Sequence, residues 1–158
     1  MAQRGGNVVS HVRMGDGGEE VLAPLLARGT ADLVVAFEPA EAARVVPFLA
    51  PSGTLVTATT ALQPVTAALS KTPYRAAAVV ARLQEQLADA ATFVAVDDAA
   101  LCAKAGSRKV LNTLLLASAL KTGCLPLDLD DLRRAIAACV KPRFVDLNLA
   151  AIDAVAGA

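Results

Sequence analysis

ADLVVAFEP, residues 31–39, decides the fold. Leu33–Phe37 is an unbroken apolar run bounded by Asp32 on one side and by Pro39 on the other. A strand that is apolar on both sides of its pleat must be covered on both faces, as in a parallel sheet sandwiched between helices. Pro39 then stands where a helix begins, and Ala40–Leu49 carries apolar residues at helical spacing until Pro51–Gly53 stops it. Thr54–Thr57 reads as the next strand, Ala77–Ala88 as a helix with Val80, Leu83 and Leu87 on one side, and Ala91–Val96 as a further strand. Between residues 59 and 73 a short strand near Val65 and a short helix through Leu69 fit equally well.

This alternation predicts right-handed crossovers and a three-layer α/β/α architecture around a mostly parallel, mixed sheet. Upstream, Val8–Met14 alternates as a strand, and Gly15–Glu20 follows as a glycine-rich turn. Downstream the character is helical only. Asp97–Ala105 ends at Gly106, Lys109–Thr122 ends at Gly123, a third helix is capped by Asp128 and runs to Pro142, and a fourth spans Phe144–Val155. There is no internal repeat or long linker, and 158 residues make one domain.

Composition narrows the function classes. Fifteen basic and fifteen acidic residues cancel, which removes the electrostatic footprint of a nucleic-acid binder. Hydrophobic residues make up 55% and aromatics only 3%, so the core must be aliphatic. Neither a signal sequence nor an apolar run approaching about 18 residues is present, which excludes a membrane span and predicts a cytoplasmic protein. Cys102, Cys124 and Cys139 are an odd set without C-x-x-C spacing. All three lie in apolar helical pattern and are expected to be small buried hydrophobes, so no metal site is expected.

The candidate chemistry is sparse. In strand alternation the only histidine, His11, shares a face with Arg13, a pair that can receive a phosphate or carboxylate or simply face solvent. Gln3-Arg4-Gly5-Gly6 sets paired glycines beside an amide and a guanidinium, a turn that can offer backbone N–H groups to an anion or just reverse the chain. Glu38 closes the best strand at the edge where open α/β sheets bind ligands, and can instead bias the next helix N-terminus. Asn112 and Asn148 interrupt apolar helical runs, either as buried amides that fix helix docking or as groups facing a partner. The motifs G-x-G-x-x-G, G-x-x-x-x-G-K-[ST], G-x-S-x-G and H-E-x-x-H are all absent, so catalysis by this chain alone is not expected and no catalytic residue is assigned.

The strings MAQRGGNVVSHVR, ADLVVAFEPAEAAR, PSGTLV, GSRKVLNTLLLASALKTGCLPL and KPRFVDLNLAAID, in that order, resemble the gamma domain of the 2-oxoacid:ferredoxin oxidoreductases. Within that family the resemblance is greatest to the beta subunits of the indolepyruvate branch. It implies an accessory subunit of a complex that oxidatively decarboxylates 2-oxoacids, such as pyruvate or indolepyruvate, to acyl-coenzyme A. Thiamine diphosphate and iron–sulfur clusters are then expected in a large alpha subunit, with ferredoxin as electron acceptor and coenzyme A as a co-substrate this chain can help to bind. By position, Gln3, Arg4, Gly5, Gly6, Ser10, His11 and Arg13 match the family's signature loop and strand, and Glu38, Asn112 and Asn148 its recurrent polar positions. The resemblance also implies a preceding strand, a G-x-G-G-Q-G turn, a helix and a second strand, none of which is in this sequence. An N-terminally truncated domain is expected to expose apolar surface at about 25 cal/mol per Å² of burial forgone, and so to be oligomeric or partner-dependent. A stand-alone small-ligand-binding α/β module derived from such a subunit is the alternative reading.

Overall fold

The computed structural model describes residues 8–15, 17–61 and 74–158. Gln3, Arg4, Gly5 and Gly6 lie outside the described residues, as do the alternatives near Val65 and Leu69. Three strands, β1 (Ala31–Ala36), β2 (Leu49–Ala58) and β3 (Thr92–Val96), form a parallel sheet in the order β1-β2-β3. Among the described residues six α-helices accompany them: α1 (Pro39–Val45), α2 (Ala76–Leu87), α3 (Asp98–Ala105), α4 (Leu111–Leu120), α5 (Leu129–Cys139) and α6 (Val145–Ala156).

Alternation along the strands divides the sheet between two cores. Leu49 and Leu55 point to one side, where Ala36, Ala42 of α1 and Leu83 and Leu87 of α2 close over them. Val56, Ala58 and Val96 point to the other, against Leu115 and Ala119 of α4. The sheet is therefore covered on both faces, as the apolar run in β1 requires. A third cluster joins α3, α4, α5 and α6 through Cys102, Leu114, Leu132, Ile136 and Ile152. Helix α4 serves both the sheet and this cluster, which is why nearly all its circumference is buried.

Several boundaries differ from the sequence reading, each for a local reason. The helix predicted over Ala40–Leu49 ends at Val45, because Pro47 cannot donate to the helical ladder; a 3₁₀ turn, Val46–Phe48, leads into β2. Pro51–Gly53 does not stop a helix but forms an irregularity within β2, where the pairing with β1 jumps from Ala31↔Leu49 to Leu33↔Thr54. Ser52 there has φ +63°, and a Cβ on Gly53 would stand 2.9 Å from the Ala31 carbonyl oxygen. The predicted strand Val8–Met14 makes no ladder among the described residues, and Val8, Val9, Val12 and Met14 are exposed. Cysteine burial is also uneven: Cys102 is buried, Cys124 half-buried and Cys139 exposed. The described sheet is wholly parallel rather than mixed.

Candidate functional site

The carboxyl ends of parallel strands are where open α/β sheets gather ligand-binding groups. Here two carboxylates stand just past β1 and β3, the strands on either side of β2, and both are engaged by the backbone. Glu38 follows β1, is 8% exposed and caps α1, its Oε2 accepting from the Ala40 N–H at 2.8 Å and the Glu41 N–H at 3.2 Å. Its Oε1 accepts a 2.5 Å hydrogen bond from the Tyr74 hydroxyl, whose oxygen in turn accepts from the Ala40 N–H at 3.1 Å. Burial, and then the hydrogen bond to and negative charge of Glu38, push the Tyr74 phenol well above the ordinary tyrosine range. Glu38 thus caps the N-terminus of α1.

Asp98, two residues past β3, is fully buried. Its Oδ1 accepts from the Thr59 and Thr60 N–H groups at 3.0 and 2.9 Å, and its Oδ2 pairs with the Arg108 guanidinium at 3.2 Å. The Arg108 side chain is 51% exposed, so it neutralises the buried acid from the solvent side. Asp97 beside it is exposed and caps α3 through the Ala100 N–H at 3.0 Å. Gly106, with φ +82°, ends that helix in the left-handed conformation and turns the chain so that Ser107 and Arg108 return to the sheet edge. Residues leaving β2 are thus tied to the acid after β3, and Tyr74, which leads into α2, is tied to the acid after β1. Burial also pushes the Cys102 thiol up, consistent with a packing role.

Of the signature residues, His11 lies at the other end of the sheet. The His11 ring meets Phe48, the residue before β2, edge-on at a centroid distance of 5.6 Å, and its Nδ1 accepts from the Leu26 N–H at 3.1 Å. Arg13 Nη1 donates to the Ala23 carbonyl at 2.9 Å, and Ser10 is exposed. His11 and Arg13 are therefore not brought together with Glu38. Asn148 is a docking amide: its Oδ1 accepts from Thr113 Oγ1 of α4 at 2.5 Å, and its Nδ2 donates to the Phe144 carbonyl at 2.7 Å. Asn112 is exposed on the first turn of α4.

Sequence reasoning did not single out Tyr74, Asp98, Arg108 or Thr113. Only Asp98 left a signal, an acid following a strand and entering an otherwise apolar helix. Among the described residues no group of three His, Cys, Asp or Glu side chains could hold a metal ion, and the cysteines sit on separate elements. An aliphatic groove of about 470 Å³ runs beside β3, with Val94, Leu101 and Val155 among its lining. No described helix is long and apolar enough to cross a membrane.

Comparison with known proteins gives this architecture a family. The family model described as pyruvate ferredoxin/flavodoxin oxidoreductase matches residues 1–158. The indolepyruvate oxidoreductase subunit IorB of Pyrococcus horikoshii is 30% identical over 153 residues, which cover 97% of this chain and 74% of that protein. The subunits of the same name from Archaeoglobus fulgidus and Methanothermobacter thermautotrophicus are 34% and 32% identical, each covering 96% of this chain and 73% and 74% of their own lengths. The chain belongs to the pyruvate ferredoxin/flavodoxin oxidoreductase family.

Proposed function

We propose that this chain is the accessory subunit of a 2-oxoacid:ferredoxin oxidoreductase whose substrate is indolepyruvate. The observation that carries this reading is the family match over the whole chain, together with curated relatives that are all named as a subunit of indolepyruvate oxidoreductase. The partner is then a large alpha subunit holding thiamine diphosphate and iron–sulfur clusters, which passes electrons to ferredoxin. Thiamine diphosphate would supply the electron sink for decarboxylation there.

The role of the present chain is to complete the assembly in the cytoplasm and to contribute to the coenzyme A side of the reaction. Gln3, Arg4, Gly5, Gly6 and the exposed Ser10 are the residues proposed for that contact. A guanidinium and bare glycine N–H groups suit a phosphorylated coenzyme. Co-expression with an affinity-tagged alpha subunit tests the reading. Co-elution in a fixed ratio supports it, whereas elution of this chain alone would favour a stand-alone ligand-binding module.

A further inference from the structure

The geometry points to His11 and Arg13 as positioning residues that staple the loop before β1, rather than as contacts for a ligand. Alternation in Val8–Met14 predicts a strand, yet no ladder forms there among the described residues. Two side chains do the ladder's work instead. Arg13 reaches ten residues ahead to the Ala23 carbonyl, and His11 reaches fifteen ahead to the Leu26 N–H. Together they close the excursion through Gly15, Gly17 and Gly18 into a loop. The edge-on contact of His11 with Phe48 and the bond from the Gly29 N–H to the Pro47 carbonyl at 3.0 Å then fasten that loop beside the start of β2.

The hydrogen-bond roles are specific. An imidazole that accepts at Nδ1 carries its proton on Nε2, so the neutral Nε2–H tautomer is required. Arg13 donates one Nη1 N–H to a neutral backbone carbonyl, which fixes the direction of its side chain. His11 and Arg13 bond back to the chain, whereas Ser10, Val8, Val9, Val12 and Met14 are exposed. Only the coenzyme arm of the test below rests on the proposed function.

The chain has a single histidine, so imidazole ¹⁵N spectra of the full-length protein need no assignment by mutation. The Nε2–H pattern is expected, together with a protected Leu26 amide. His11→Ala and Arg13→Ala each raise exchange of the Ala23, Leu25 and Leu26 amides by about ten-fold, one lost hydrogen bond's worth, while the Val56 amide in β2 is unchanged. Arg13→Lys, which can still donate to Ala23, restores part of the protection. Calorimetric titration with coenzyme A and with inorganic pyrophosphate is expected to give the same result for wild type and both alanine variants. An Nδ1–H tautomer, or unaltered loop exchange in the alanine variants, overturns the inference. So does loss of coenzyme affinity in Arg13→Ala with the loop still protected. If wild type binds no coenzyme, the coenzyme proposal fails, and the tautomer and exchange results still decide the staple.

Discussion

Removing the Asp98 carboxylate is the perturbation to which the carboxyl edge of this sheet is most exposed. Asp98→Ala takes away the acceptor for two backbone N–H groups and the partner of Arg108, all at a side chain with no solvent exposure. An unmet buried donor costs about 1–3 kcal/mol, but Thr59 and Thr60 are only half-buried and water can reach them, so each is counted at about 1 kcal/mol. Arg108 is half-exposed and re-solvates at little cost, and the cavity left by a carboxymethyl group adds about 1 kcal/mol. The expected loss is therefore about 3 kcal/mol, which in a chain of this size lowers Tm by roughly 6–12 °C. Asp98→Asn keeps one carbonyl acceptor and is expected to lose about half as much. Arg108→Gln leaves both N–H bonds in place but strips the buried carboxylate of its counter-charge, and should lose about as much as Asp98→Asn. Urea unfolding followed by circular dichroism, with an unchanged slope, measures the series. A loss under about 0.5 kcal/mol for Asp98→Ala, or a reversed order, would refute the idea that this acid anchors the segment leaving β2.

Other expectations follow from single contacts. The chain has one tyrosine, so absorbance at 295 nm reads Tyr74 alone, and its titration midpoint should lie well above 10. Because the folded value is raised, the stabilisation is full below pH 10 and disappears as pH rises through the folded value; Tyr74→Phe should abolish that alkaline dependence. The Asp128 carboxyl is held below the usual 3.8 by the Asp131 and Asp130 N–H groups of its capping box. Its stabilisation is full above pH 3.8 and declines on acidification through the lowered folded value, so Asp128→Asn should flatten stability against pH in that acid range. Thr113→Val and Asn148→Ala should show a coupling of about 1 kcal/mol in a double-mutant cycle, and additivity would remove the α4–α6 hydrogen bond from the account. Gly53→Ala should destabilise by about 1–3 kcal/mol, because its methyl would meet the Ala31 carbonyl and Leu49; a neutral result would show that the β2 irregularity yields.

What was legible in the sequence depended on how local its cause is. The apolar run ending at Phe37 correctly implied helices on both sides, because covering both faces is a property of the strand itself. Asp128 as a cap was equally local, since its partners are two and three residues away. Val8–Met14 failed as a strand because alternation states a preference that only a neighbouring strand can satisfy. Cys139 was read as buried because it lies in apolar company. The inward stripe of α5, however, runs through Leu132 and Ile136 to Val140, and Cys139 falls one step off it. The ties at the sheet's carboxyl edge span 36 to 39 residues, between Glu38 and Tyr74 and between Thr59 and Asp98. No window of local periodicity contains such pairs, and only the crossover topology brings them together.

The central claim is that this chain works as one subunit of a 2-oxoacid oxidoreductase. The most direct measurement is indolepyruvate-dependent reduction of a viologen dye by the alpha subunit, with coenzyme A, in the presence and absence of this chain. The account predicts turnover only when both are present, saturating at a fixed stoichiometry. Full activity from the alpha subunit alone, unaffected by this chain at any ratio, would contradict it.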